Sequence, residues 1–132
     1  MIKAKDFWHC LCEEFGYRFF AGIPCEGYSF LYDGMSSEFM HYIPAVNEGV
    51  ALGLVNGAFL AGVKGAIFLP AEKICNLNMS FNIDNNLPLT IITSGKEKPK
   101  KIYTVELTED LKGCLNKITK RNKPSVLFIK GE

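Results

Sequence analysis

Three unbroken apolar runs, "GAIFLP" at 65–70, "LPLTIITSG" at 87–95 and "PSVLFIKG" at 124–131, constrain this chain more than any other feature. A strand with one wet face alternates apolar and polar residues, so a run that stays apolar has to be covered on both faces. Helix-like segments separate the runs. The first, Lys3 to Phe15, places Phe7, Leu11 and Phe15 four positions apart and ends at Gly16. "YRFFAGIP" follows as a short strand closed by Gly22 and Pro24, then a weak helical stretch from Tyr28 to Met35, then "FMHYIPA" as a strand. Helices are expected at 43–62, from Ala71 to about Ile83 and from Thr108 to Lys120, with a last short strand at Ile102–Val105. Strand and helix units repeating at this spacing predict an α/β fold of three layers, αβα, with a mostly parallel sheet.

A chain of 132 residues, 48% of them hydrophobic, is large enough for one core and not for two, so residues 1–132 are read as a single domain. The 15 basic residues nearly cancel the 14 acidic ones, and no basic block is interleaved with aromatics, so neither nucleic acid nor a membrane surface is the expected partner. A small metabolite or another protein fits better. "MIKAKDFWHCLCEEFG" has acids soon after its first apolar residues and no small-residue cleavage site, so it does not read as a signal peptide, and a cytoplasmic location is expected. Five cysteines without scaffold spacing suit reduced thiols. Cys10 and Cys12 stand two apart on a helix and make a poor metal site; no metal ligands are assigned to this chain. The charged "KEKPKK" reads as a solvated turn.

The segment "IPAVNEGVALGLVNGAFLAG", residues 43–62, is the most unusual in the chain. It has about the roughly 20 residues a membrane span needs, but its acid, two asparagines and leading proline shorten the apolar run, so a soluble helix is expected, buried nearly all round and in part at a subunit interface. Gly49, Gly53, Gly57 and Ala61 fall four apart and line one helical face. Each glycine inside a helix costs roughly 0.5 to 1 kcal/mol against alanine, so the stripe implies a close approach by something. Spacing alone leaves open whether that is the chain's own sheet or a neighbouring subunit. Asn47 is the expected N-cap, which puts Glu48 in the first turn, where the helix macrodipole favours a carboxylate. A carboxylate there also stands at the edge of a parallel sheet where ligands bind.

"AGIPC" at 21–25, "YIPAVNEGVALGLVNGAFLAG" at 42–62 and the closing "KPSVLFIKGE" together resemble the pyrimidine-binding (PYR) domain of thiamine-diphosphate-dependent decarboxylases. The likeness is to sulfopyruvate and phosphonopyruvate decarboxylases, in particular to the small alpha subunit of two-chain sulfopyruvate enzymes. It runs over essentially the whole chain in order of elements. It implies a PYR-type, flavodoxin-like fold, with thiamine diphosphate as cofactor and a small anionic 2-oxo acid as substrate. In that family the glutamate matching Glu48 hydrogen-bonds N1' of the cofactor's aminopyrimidine and activates it, a task that needs an exchangeable carboxyl proton. The resemblance also places Pro24 and Asn76 at the cofactor, Cys25 and Asn47 beside the substrate, and Gly49, Gly53 and Gly57 at a subunit interface. The diphosphate half of such enzymes carries a "GDG" motif that this chain lacks. A separate diphosphate-binding (PP) subunit is therefore implied, holding most of the magnesium coordination, with self-association of this chain as well. One stretch departs from the pattern: where the family has a "QNSGLGN"-like loop after its third strand, this chain reads "PAEKICN", and only Asn76 matches. A carboligating enzyme of the same superfamily and a non-catalytic flavodoxin-like module are the alternatives.

Overall fold

The three apolar runs form the middle of a sheet, as their lack of alternation requires. The structure, a computed structural model, describes residues 2–36, 38 and 40–131. Strands β1 (Phe19–Gly22), β2 (His41–Pro44), β3 (Gly65–Pro70), β4 (Leu89–Gly95), β5 (Tyr103–Glu106) and β6 (Pro124–Lys130) make one six-stranded sheet in the order β2-β1-β3-β4-β6-β5. Every pairing in it is parallel. The α-helices are α1 (Ala4–Trp8), α2 (Glu48–Leu60), α3 (Ser80–Asp84) and α4 (Leu111–Thr119).

Helical segments cover both faces, and each face has its own core. On one, Trp8, Leu11, Tyr28 and Leu115 pack against Phe20, Phe68, Ile92 and Leu127. Phe68 is the hub, with the rings of Trp8, Phe20, Tyr28 and Tyr42 5.3 to 6.1 Å from its own. On the other, Ala51, Leu52 and Val55 of α2 join Ile74 and Leu77 over Ala21, Ile67, Ile91 and Val126. Neighbouring strand residues thus split between the two cores, which is the three-layer αβα architecture that the sequence predicts.

Departures from the predicted elements have local causes. The first helix is α-helical only to Trp8 and continues to Glu14 as a wider π-turn. There Phe15 N–H donates to the Cys10 carbonyl at 3.1 Å and Tyr17 N–H to that of Leu11 at 3.0 Å. The wider turn rotates Cys10, Leu11 and Cys12 all into the core, so the two thiols share an apolar setting although they stand two apart. Gly16 ends the segment with φ +77°, the left-handed conformation that glycine adopts without strain. The stretch expected to be weakly helical is a 3₁₀ segment, Glu26–Gly34.

The helix expected from Ala71 to Ile83 is broken. A 3₁₀ segment, Ala71–Asn76, is followed by an extended Leu77, with φ −85° and ψ 121°, and then by α3. Ile74 and Leu77 both reach the core, while the Asn78 side chain accepts from Ser80 N–H at 3.1 Å and starts the next turn. The helix expected from Thr108 begins instead at Leu111, because Asp110 caps it, accepting from Gly113 N–H at 3.1 Å. The expected strand "FMHYIPA" is shorter: His41–Pro44 pairs with β1, and Phe39 lies outside the described residues. It is an edge strand with no fully buried residue.

Candidate functional site

The carboxyl edge of β1 is where the chain's connections diverge. The link leaving β1 runs through Glu26–Gly34 on the Phe68 face, whereas those leaving β2 and β3 run through α2 and Ala71–Asn76 on the other. The strand ends where connections diverge are the general ligand position of parallel α/β sheets. Gly22 pairs with Pro44 on one side and Phe68 on the other. Both ladders run on past it: Ala45 N–H donates to the Gly22 carbonyl at 2.8 Å, and Ile23 N–H to that of Phe68 at 2.9 Å. A Cβ on Gly22 would collide with the Phe68 carbonyl, so only glycine permits this approach.

Asn47 and Glu48 leave the sheet from the strand beside Pro24 and Cys25. Asn47 is extended, with φ −158°, and its side chain accepts from Val50 N–H at 2.9 Å, the N-cap that the sequence predicts. Glu48 is half-buried in the first turn of α2. Neither ion pair between described residues, Lys98–Glu106 at 3.4 Å and Lys112–Glu14 at 3.6 Å, involves it. The carboxylate is thus held at a positive helix end and uncommitted to a cation.

Pro24 is exposed, while Cys25 is half-buried against the Phe68 core as the N-cap of the 3₁₀ segment. Three tyrosines that the sequence did not single out fix this corner. The Tyr28 hydroxyl donates to the Ile23 carbonyl, and the Tyr32 and Tyr42 hydroxyls lie 3.3 Å apart. Burial pushes all three phenols up, so they stay neutral and act as hydrogen-bonding groups. Tyr28 and Tyr32 share the segment Glu26–Gly34, with rings 6.2 Å apart, and Tyr42 joins them from β2 only through its pairing with β1, which no sequence signal marks.

Asn76 sits apart from this group. It is exposed on the turn after β3, where the Cys75 thiol donates to its amide oxygen at 3.7 Å. The neighbouring cleft of about 810 Å³ is lined by Glu72, Ile74, Cys75, Leu77 and the "KEKPKK" loop, and Asn76 is not among its lining residues. The loop read as a solvated turn has exposed lysines and also forms a wall of that cleft.

Gly49, Gly53 and Gly57 face outward and are exposed. A Cβ at Gly53 or Gly57 would meet nothing within 4 Å, so the chain's own sheet is not what approaches the stripe. α2 buries Ala51, Leu52 and Val55 on its opposite side. Around the glycine face Val46 is 88%, Leu60 66% and Val50 42% exposed, more apolar surface than an unpartnered helix needs. All five cysteines are free. Among the described residues no group of three or more His, Cys, Asp or Glu is gathered that could hold a metal ion, and no helix is long and apolar enough to cross a membrane.

A parallel sheet between two helical layers, with an acid in the first turn of a capped helix at its carboxyl edge, defines a three-layer α/β unit. No protein-family model matches the chain, and no curated protein matches it. Among solved structures it is similar to 2-oxoglutarate:ferredoxin oxidoreductase from Magnetococcus marinus, determined with 2-oxoglutarate, coenzyme A and succinyl-CoA bound. The TM-score is 0.75 over 98% of this chain at 13% sequence identity. The match spans 29% of the oxidoreductase chain. The likeness is one of fold, and that fold is the α/β, three-layer one expected from the sequence.

Proposed function

We propose that residues 1–132 are a single PYR-type domain, the pyrimidine-binding subunit of a two-chain thiamine-diphosphate-dependent 2-oxo acid decarboxylase of sulfopyruvate or phosphonopyruvate type. The observation that carries this reading is Glu48: an acid free of any ion pair between described residues, oriented by the Asn47 cap, at the strand ends where the β1 and β3 connections diverge. These residues fit the aminopyrimidine end of the cofactor. Glu48 holds and exchanges the proton on the ring nitrogen, and Asn47 fixes the direction of the helix turn that presents it. The Ile23–Pro24 turn, steadied from below by Tyr28, supports the ring. Bound thiamine diphosphate supplies the electron sink for releasing carbon dioxide from the 2-oxo acid. The diphosphate and its magnesium belong to a PP subunit, and the exposed face of Gly49, Gly53 and Gly57 is where a neighbouring subunit docks. Cys25 and Asn47 would border the substrate, and Asn76, exposed on the separate turn after β3, would have to reach across to the cofactor.

The deciding experiment is Glu48→Gln in the assembled complex with magnesium, read by exchange of the cofactor's C2 proton. Losing a positioned acid or base slows such a step by roughly two to four orders of magnitude, while assembly survives. An unchanged exchange rate would remove Glu48 from the chemistry. A second reading, a subunit of a 2-oxo acid oxidoreductase, is favoured by the fold shared with the Magnetococcus enzyme. Turnover of the 2-oxo acid without any electron acceptor supports the decarboxylase; strict dependence on an acceptor supports the oxidoreductase.

A further inference from the structure

At the opposite end of the sheet, where Gly65 opens β3 and Leu89 opens β4, lies a second pocket of about 440 Å³. It is reached past Phe59 in the last turn of α2 and Ile118 and Thr119 in the last turn of α4. Along α2 this pocket runs from Val55 to beyond Phe59, roughly 10 to 20 Å from Glu48. Its walls are apolar: Val55, Phe59, Leu89 and Ile118. Its charged lining residues are Lys64, Arg121 and Lys123, and none of its lining residues is acidic.

Two of these cations are built into the structure rather than splayed over its surface. Lys64 is half-buried, donates to the Phe15 carbonyl at 3.0 Å and lies 4.5 Å from the centre of the Tyr17 ring. Burial lowers its pKa, and no carboxylate among the described residues pairs with it. The Arg121 guanidinium stacks on Tyr103 at 4.1 Å, and its Nε is buried without a hydrogen-bond partner. The bland account is that the cations offset the negative ends of α2 and α4. Those ends contribute roughly −0.5 charge each, so three cations exceed what they balance. The surplus is positive, partly desolvated and set over apolar walls, the composition of a small-molecule site.

We propose that this pocket binds a small organic anion, an apolar or aromatic body carrying a carboxylate or phosphate, with the charged head between Arg121 and Lys64 and Lys123 at the rim. Arg121 offers a planar donor edge already held by Tyr103, and Lys64 offers a point charge at fixed depth. The body of the ligand covers Phe59 and Ile118. Nothing in this assignment depends on what Glu48 does.

Titration with benzoate, phenyl phosphate, inorganic phosphate and neutral benzamide, followed by backbone amide shifts of the full chain, tests it. Benzoate or phenyl phosphate is expected to shift Phe59, Thr119 and Asn122 saturably, more weakly as salt is raised, and which of the two binds tighter identifies the head group. Inorganic phosphate, lacking the body, binds more weakly, and benzamide leaves these amides in place. Arg121→Gln and Lys64→Met each raise Kd roughly ten-fold or more, the range for losing a charge-assisted hydrogen bond. Exposed Lys123→Gln, which carries no risk to folding, weakens binding a few-fold and flattens the salt dependence. The proposal is overturned if neither organic anion shifts these amides up to about 10 mM, a concentration at which a preformed site of this size is filled. Equal shifts with benzamide, or undiminished binding in the variants that fold, overturn it as well.

Discussion

At the scale of single residues, the proposed site depends on how well the turn after β1 is held. Tyr28 is fully buried, and its hydroxyl donates to the Ile23 carbonyl immediately before Pro24. Tyr28→Phe removes that donor and leaves a carbonyl without it, so it should destabilise the fold by about 1 to 3 kcal/mol. Urea denaturation read by circular dichroism measures this, and a midpoint equal to wild type would mean that the hydroxyl holds nothing. The contrast with Asn47 shows what a sequence reveals at this scale. Asn47 was legible because capping is local: its side-chain oxygen accepts from the backbone N–H three residues along, so "NEG" before an apolar helix is signal enough. The place of Glu48 in the first turn was legible for the same reason. The meeting of Tyr32 with Tyr42 was not, because it depends on the pairing of β1 with β2. Lys64 and Arg121 stand 57 positions apart and converge only when β3 and α4 pack around one pocket.

At the scale of elements, apolar runs were reliable guides wherever both faces of a strand are covered, as in β3, β4 and β6. Helices were read less well where the core asks for two closely spaced side chains, as at Cys10 to Cys12. There the backbone leaves α geometry to deliver both, which propensity does not foresee. The glycine stripe of α2 is the reverse case. Its spacing was plain, but the choice between sheet and neighbour depends on how α2 is rotated over the sheet, which leaves Gly53 and Gly57 open on the outside. Two effects of substitution then separate. In the isolated chain, Gly53→Leu and Gly57→Leu have room, and each should raise stability by roughly 0.5 to 1 kcal/mol through helix propensity alone. In the complex the same side chains stand where another backbone approaches, and association should weaken. Thermal denaturation of the chain and sedimentation of the complex measure the two. A double variant that is more stable and also assembles with unchanged affinity would refute the docking role of this face.

At the scale of the whole molecule, the fold is sealed by neutral acids buried in the core on the Phe68 face, and this sets its response to alkali. Burial pushes the Cys10 thiol from 9.0 up to about 11, with Glu14 nearby adding to the effect. It pushes the Tyr17 phenol from 10.0 up to about 12, against a smaller opposing pull from its hydrogen bond with Thr90. Cys12, Tyr28, Tyr32 and Tyr42 are raised too, again chiefly by burial. For each of these groups the folded value lies above the unfolded one, so within that interval the native state keeps a proton that the unfolded chain has released. Their contribution is therefore complete below pH 9.0 and is lost as the pH rises through about 11 for Cys10 and about 12 for Tyr17. Lys64 acts oppositely: its folded value lies below 10.5, so between the two the unfolded chain holds the extra proton and stability rises with pH. One such group is outweighed by six of the other sign, each able to contribute a slope of up to about 1.4 kcal/mol per pH unit inside its window. The urea midpoint should stay level up to pH 9.0 and then fall with increasing steepness beyond 10.0, where the tyrosines join the thiols. Cys10→Ala removes one of the six contributions and should flatten the first part of the decline between 9.0 and about 11 without altering the rest. A midpoint that did not move over that interval in the wild-type chain would mean that these thiols and phenols are reached by water in the native state, contrary to the packing around Trp8 and Phe68.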